Sequence, residues 1–157
     1  DIVTGDIKEA ASNSEPPLFG VITTNPRTLI GDHGTEVIRI QHCILPDMKA
    51  LCTLDDILRE SAKLLKAKGR FYMVHRPFRL PEIIDKDVRN GIEPKRIGLV
   101  YPHIDKEPNM VLIEGMKGGN PRMQVEPPLI VYQKDGSYTE ELLEMYGMNK
   151  SEHKMEE

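Results

Sequence analysis

The segment from Thr53 to Gly69 constrains this chain more than any other. Leu54, Ile57, Leu58, Ser61, Ala62 and Leu65 recur at the three- and four-residue spacing that lines one face of a helix. Thr53 with Asp56 three residues on is a capping-box variant, which sets the start. Gly69 is expected to end the helix as its C-terminal cap. Apolar runs flank it, Phe19–Thr24 before and Phe71–Val74 after. The first is β-branched and apolar enough for burial on both faces, as strands of a parallel sheet are. A strand, a helix and a strand in this order make a unit whose two strands run parallel.

The alternation continues downstream. Pro77 stops the second strand, and Leu80–Asn90 reads as a helix closed by Gly91. Ile97–Tyr101 and Met110–Gly115 read as strands separated only by the polar turn His103–Asn109. That connection is too short for a crossover, so the pair is expected to form an antiparallel hairpin at the sheet's edge. Ile130–Tyr132 reads as a short edge strand after Pro127-Pro128, and Thr139–Tyr146 as an amphipathic helix. Upstream, Ile2-Val3 reads as the end of a strand and Lys8–Ala11 as the start of a helix. From Asn25 to Lys49 no period is sustained, so a long loop is expected, functional or poorly ordered. Phe71 and Tyr72 are both expected in the core. The expectation is a three-layer α/β domain over residues 1–147, with a charged tail over 148–157.

Composition removes several classes of function. At 157 residues the chain is one domain's worth. A net charge of −4 gives no global basic field, so a nucleic-acid partner would need a local patch. No apolar run approaches the roughly 18 residues of a membrane span, and no signal peptide is visible, so a cytoplasmic protein with no membrane partner is expected. Cys43 and Cys52 have no metal-ligand spacing; reduced thiols are expected, with a disulfide open on count alone. Asp32-His33 has no partner at ligand spacing, so no metal is expected.

Two groups of residues carry chemistry. Asn25-Pro26 ends an apolar strand: the Asn side chain offers a carbonyl oxygen to a substrate N–H, and Pro fixes the turn that presents it. The same dipeptide also serves as an ordinary strand-ending turn. His75, Arg76 and Arg79 lie where a strand ends and a helix begins, a place suited to gripping phosphates. Lys66, Lys68, Lys95, Arg96, Lys117 and Arg122 would extend that surface; the alternative is a solvated positive face balanced by nearby acids.

Beyond single residues, long stretches resemble one family. Cys52–Lys66 and Gly69–Leu80, the latter with Val74-His75-Arg76-Pro77-Phe78-Arg79-Leu80, are similar to the bacterial tRNA adenine-N6-methyltransferases that modify valine tRNA. So are Glu93–Ile97, Met110–Gly119, Pro127–Tyr132 and Asp135–Glu141, and the likeness resumes over Asp6–Ala11 and Val21–Gly34. The resemblance implies a class I, Rossmann-like methyltransferase sheet using S-adenosyl-L-methionine, with its last two strands antiparallel. It implies that Asn25 and Pro26 are catalytic, that Asp6, Ile7 and Asn25 border the cofactor, and that His75, Arg76 and Arg79 hold tRNA or another nucleic acid. The departures are specific. The family's Asn-Pro-Pro-Tyr stands here as Asn25-Pro26-Arg27-Thr28, without the aromatic that stacks on a flipped adenine. Residues 36–50 do not follow the family. The amino-terminal strands, with their glycine-rich cofactor loop, are expected to be missing. Two alternatives therefore stand beside the enzyme: a catalytically dead remnant that keeps only nucleic-acid binding, and a half-enzyme completed by a partner. Exposed edges of a truncated sheet would also favour self-association.

Overall fold

A computed structural model describes residues 19–30, 36–39 and 53–148, with residues 27–30 and 36–39 described as backbone only. The expectations for Ile2-Val3, Asp6-Ile7, Lys8–Ala11, Asp32-His33, the two cysteines and residues 149–157 lie outside the described residues.

The main sheet begins with β1 (Phe19–Thr24), which pairs in parallel with β4 (Leu65–His75). Between them lies α1 (Leu54–Leu64), started by the expected capping box. The Thr53 hydroxyl accepts from the Asp56 N–H at 3.1 Å, and the Asp56 carboxylate accepts from the Thr53 N–H at 2.9 Å. Leu54, Ile57, Leu58, Ser61 and Leu64 form its buried face. The end of this helix departs from the sequence reading. Leu65 is already extended and pairs with Phe19, so strand pairing takes the chain out of the helix four residues before Gly69. Residues 66–69 then bulge from the ladder, since Phe19 faces Leu65 while Val21 faces Arg70. Lys68 takes a φ of 62° within this bulge. Gly69 is therefore a close-approach residue and not a helix cap. A Cβ there would lie 2.8 Å from the Lys66 carbonyl oxygen and 3.3 Å from that of Gly20.

After a single 3-10 turn at Pro77–Arg79, α2 (Leu80–Arg89) leads through Gly91, at φ +74°, into β5 (Ile92–Tyr101). β6 (Met110–Lys117) returns antiparallel to both β5 and β4 and so inserts between them. The hairpin expected at the edge is present, with its second strand on the inside. Two short strands, β7 (Gln124–Val125) and β8 (Leu129–Ile130), pair in parallel with the outer side of β5. The order is β1-β4-β6-β5-β7, with β8 also on β5. α3 (Glu140–Met145) is capped by the Thr139 side chain.

The long loop expected from Asn25 is interrupted by a small sheet. β2 (Arg27–Ile30) and β3 (Glu36–Arg39) pair antiparallel, Arg27 opposite Arg39 and Ile30 opposite Glu36. Four-residue strands with charges at their ends lack the length for a clear alternation.

Both crossover helices cover the same face. Leu54, Ile57 and Leu58 of α1 and Ile83 of α2 share one core cluster with Phe71, Met73, Val111, Ile113, Ile92 and Ile97 of the strands. Burying each such side chain contributes about 1.5–3 kcal/mol. Strand alternation points Tyr72 and Leu112 to the opposite face, where they remain 37% and 38% exposed. Tyr72 is thus a face residue and not core.

Candidate active site

Asn25 and Pro26 follow β1 directly: Asn25 is exposed and Pro26 buried. Because Arg27 opens β2, the residues after Pro26 enter a strand. Asn25 borders a cavity of about 950 Å³ on the open face of the sheet, with Thr23, Tyr72, Leu112 and Glu114 among its walls and Met145 of α3 also lining it. That volume is within the range of small-molecule sites, roughly 300–1,000 Å³.

The cavity has a charged wall. Glu114 of β6 is 5% exposed and pairs with Arg70 of β4 on one side. On the other side Arg96 of β5 donates to it at 3.2 Å and also reaches Glu126 at 3.0 Å. This chain of alternating charge crosses three strands and fixes their spacing at mid-sheet. Its carboxylates are engaged by arginines, so they are not set up as general bases.

His75, Arg76 and Arg79 have three different environments. His75 ends β4 with 4% exposure, and its Nδ1 accepts the Arg76 backbone N–H at 2.7 Å. Arg79 is also buried; its Nε and one terminal nitrogen donate to the Glu82 carboxylate at 2.9 and 2.7 Å. Burial pushes the Glu82 carboxyl upward, but Lys86 and Arg79 outweigh it and hold the group below its ordinary value. Arg76 is exposed and donates to the Asn109 carbonyl at 2.9 Å. Of the three, Arg76 presents its cation at the surface.

The basic residues expected to extend this surface lie elsewhere. Lys66, Lys68, Lys95 and Lys117 sit near the start of β4, the start of β5 and the end of β6, at the opposite edge of the sheet from Arg76. Lys95 donates to the Asn120 carbonyl and Lys117 to that of Leu65, both at 2.7 Å, and Lys68 donates to that of Gly118. Periodicity places residues on strands but does not tell which strand end a turn will bring together.

Sequence reasoning also passed over an aromatic stack. The ring centroids of His103 and Tyr132 lie 5.5 Å apart, and those of Tyr132 and Tyr138 lie 5.3 Å apart with planes 20° from parallel. Its signal was two tyrosines flanking the turn Asp135-Gly136-Ser137.

No family model matches this chain, and no curated protein matches it. Solved structures do. A predicted O-methyltransferase from Agrobacterium tumefaciens superposes with a TM-score of 0.60 at 17% identity, over 82% of this chain and 51% of that one. The fold is the one seen in methyltransferase structures. A Thermus thermophilus protein described as a DNA modification methylase gives a TM-score of 0.53 at 18% identity, over 96% of this chain and 62% of its own. The same protein complexed with S-adenosyl-L-methionine gives 0.51 at 17% identity, over 96% and 63%. This chain thus spans between half and two thirds of these structures.

S-adenosyl-L-methionine is the group such a fold implies. The described residues fit one flank of a site for it: an exposed carboxamide on a proline-fixed turn, at the carboxyl end of a parallel strand and beside a cavity of ligand size. Groups that would hold its methionine and ribose are not among the described residues.

Proposed function

We propose that this chain is part of an S-adenosyl-L-methionine-dependent methyltransferase acting on the N6 amine of adenine in nucleic acid, with tRNA as the substrate that the sequence resemblance favours. The observation that carries the reading is Asn25-Pro26 at the carboxyl end of β1, in a sheet like those of methyltransferases. In open α/β sheets that edge is where ligands bind. Asn25 accepts one amine N–H through its side-chain oxygen, and the Pro26 carbonyl accepts the other. Two acceptors on one amine hold its lone pair in a fixed direction and leave it electron-rich. The cofactor, when bound, supplies the methyl group. Asp6 and Ile7 would border its adenine, and Asn25 its methyl end. His75, Arg76 and Arg79 belong to the nucleic-acid side, Arg76 by direct phosphate contact and the buried pair by positioning the strand-to-helix turn that carries it.

A second reading is favoured by the bare face of the sheet. Among the described residues, β1 pairs only with β4, and Val21 and Phe19 are 57% and 46% exposed. A parallel strand and helices from another segment or chain would cover that edge and face, making this a half-enzyme. Uncovered, the chain would self-associate or persist as a remnant that binds nucleic acid only.

Calorimetric titration of the folded protein with S-adenosyl-L-methionine separates the readings. Binding at micromolar strength, weakened by Asn25→Ala, is the outcome expected for the enzyme. No heat from a folded sample would overturn it in favour of the half-enzyme or remnant.

A further inference from the structure

The strands of the main sheet bring four turns to one edge. β1 runs parallel to β4, β5 runs parallel to β8, and β4 and β5 are both antiparallel to β6, so β1, β4, β5 and β8 share a direction. Their carboxyl ends lead into Asn25, Arg76, His103 and Tyr132 respectively. β1 and β5 are three strand spacings apart, about 14 Å. That is room for a nucleotide at Asn25 and neighbours laid along the edge toward β5.

The far end of that edge is aromatic and held firmly. Val131 N–H donates to the Tyr101 carbonyl and Tyr132 N–H to that of Pro102, both at 2.9 Å, which ties the chain after β8 to the end of β5. Tyr132 bridges Tyr138 across a tight turn in which Gly136 has a φ of +86° and Asp135 accepts from the Ser137 N–H at 3.0 Å. His103 adds a third ring from the β5–β6 connection. Tyr132 stays 36% exposed although two other rings neighbour it, so the cluster lies at the surface. Phe78 and Ile104, each 68% exposed, follow β4 and β5 on the same edge.

We propose that the His103–Tyr132–Tyr138 stack is a stacking platform for an unpaired nucleobase next to the target nucleotide. The Tyr132 and Tyr138 rings, 20° from parallel, make a layered surface of the kind bases extend, with the His103 ring tilted 36° against Tyr132, and the fixed backbone reduces the entropy lost on binding. The charges beside these rings in the chain are mixed: Lys106 and Lys134 against Asp105, Glu107 and Asp135. Stacking, and not phosphate attraction, therefore dominates affinity, which selects single strands over duplex and gives a shallow dependence on salt. An enzyme that acts on an extruded base contacts the flanking nucleotides, and this platform would hold one. The proposal rests on the nucleic-acid reading above and names the form of the substrate.

The chain has five tyrosines and no tryptophan, so stacking is read directly as quenching of tyrosine fluorescence. The test titrates the protein with a single-stranded RNA decamer and with a duplex of the same sequence. Expected are quenching by the single strand, weaker binding of the duplex, and at least a roughly fivefold loss of affinity in His103→Ala and Tyr132→Leu. Tyr132→Phe, which keeps the ring, should stay within about twofold of the parent. His103 lies outside the Tyr132–Tyr138 turn, so its variant keeps the test valid if Tyr132→Leu unfolds. No binding of the single strand, equal binding of the duplex, or unchanged affinity in folded His103→Ala would overturn the platform. Cofactor titration of the same samples reports separately on methyl transfer: cofactor binding without decamer binding defeats the platform alone, and decamer binding without cofactor binding defeats the enzyme alone.

Discussion

Asp87 is the residue whose chemistry least suits its surroundings. It lies on the core side of α2, one turn after Ile83, with no exposure, and neither carboxylate oxygen has a hydrogen-bond partner among the described residues. Burial pushes its carboxyl up to about 8 from an ordinary value of 3.8. Between those values the folded chain keeps a proton that the unfolded chain has released. Stability therefore falls as pH rises through this window, by up to about 1.4 kcal/mol per pH unit, and levels off above it. Asp87→Asn removes the titration. It should be more stable than the parent at neutral pH by about 4 kcal/mol, the loss accumulated over about three pH units, with the gap closing toward pH 4. Urea unfolding of both proteins across pH 4–9 checks this, and a pH-independent gap would contradict it. Nothing in the residue pattern marks this site, because a helical periodicity tolerates one acid on its apolar face. Asn25-Pro26, by contrast, was legible as the end of a strand because a β-branched run stops at a residue that cannot continue a ladder.

Among the helices and strands, what could be read depended on whether a local signal or a distant partner decides the outcome. The start of α1 is local: Thr53 and Asp56 satisfy each other's backbone N–H groups. Burial raises the Asp56 carboxyl, but hydrogen bonds from the Thr53 backbone, Arg59 and the Thr53 side chain bring it down to about 2. Its stabilising contribution is present above the ordinary value of 3.8 and is lost as pH falls toward 2. Thr53→Ala should cost about 1 kcal/mol at neutral pH, read as a lower midpoint in urea with unchanged slope; no shift would show that the Thr53 hydroxyl contributes nothing to the cap. The end of α1 is not local. Leu65 has a helical neighbour pattern, yet Phe19, far away in sequence, takes it into the sheet. β2 and β3 were missed for the same reason, since each is specified mainly by the other.

For the molecule as a whole, the alternation of strands and helices fixed the sheet, and the short β5–β6 connection fixed its antiparallel member. That β6 enters between β4 and β5 was not readable, because order within a sheet is set by packing across strands distant in sequence. The result is a sheet with one face covered by α1 and α2, and an open face bearing a cavity, a buried Glu114 network and Asn25 at its rim. Parallel direction then places Asn25, Arg76 and the aromatic stack on one edge, where an acceptor strand could be held at three points. The decisive experiment is transfer of a labelled methyl group from S-adenosyl-L-methionine to unmodified tRNA, with the product nucleoside identified by mass spectrometry. N6-methyladenine is the expected product, formed at a rate reduced on the order of a hundredfold or more in Asn25→Ala, as for loss of a hydrogen-bonding group at the reacting centre. An undiminished rate in the variant would refute the role given to Asn25-Pro26, and no product from the folded protein would overturn the self-sufficient enzyme in favour of the half-enzyme or remnant.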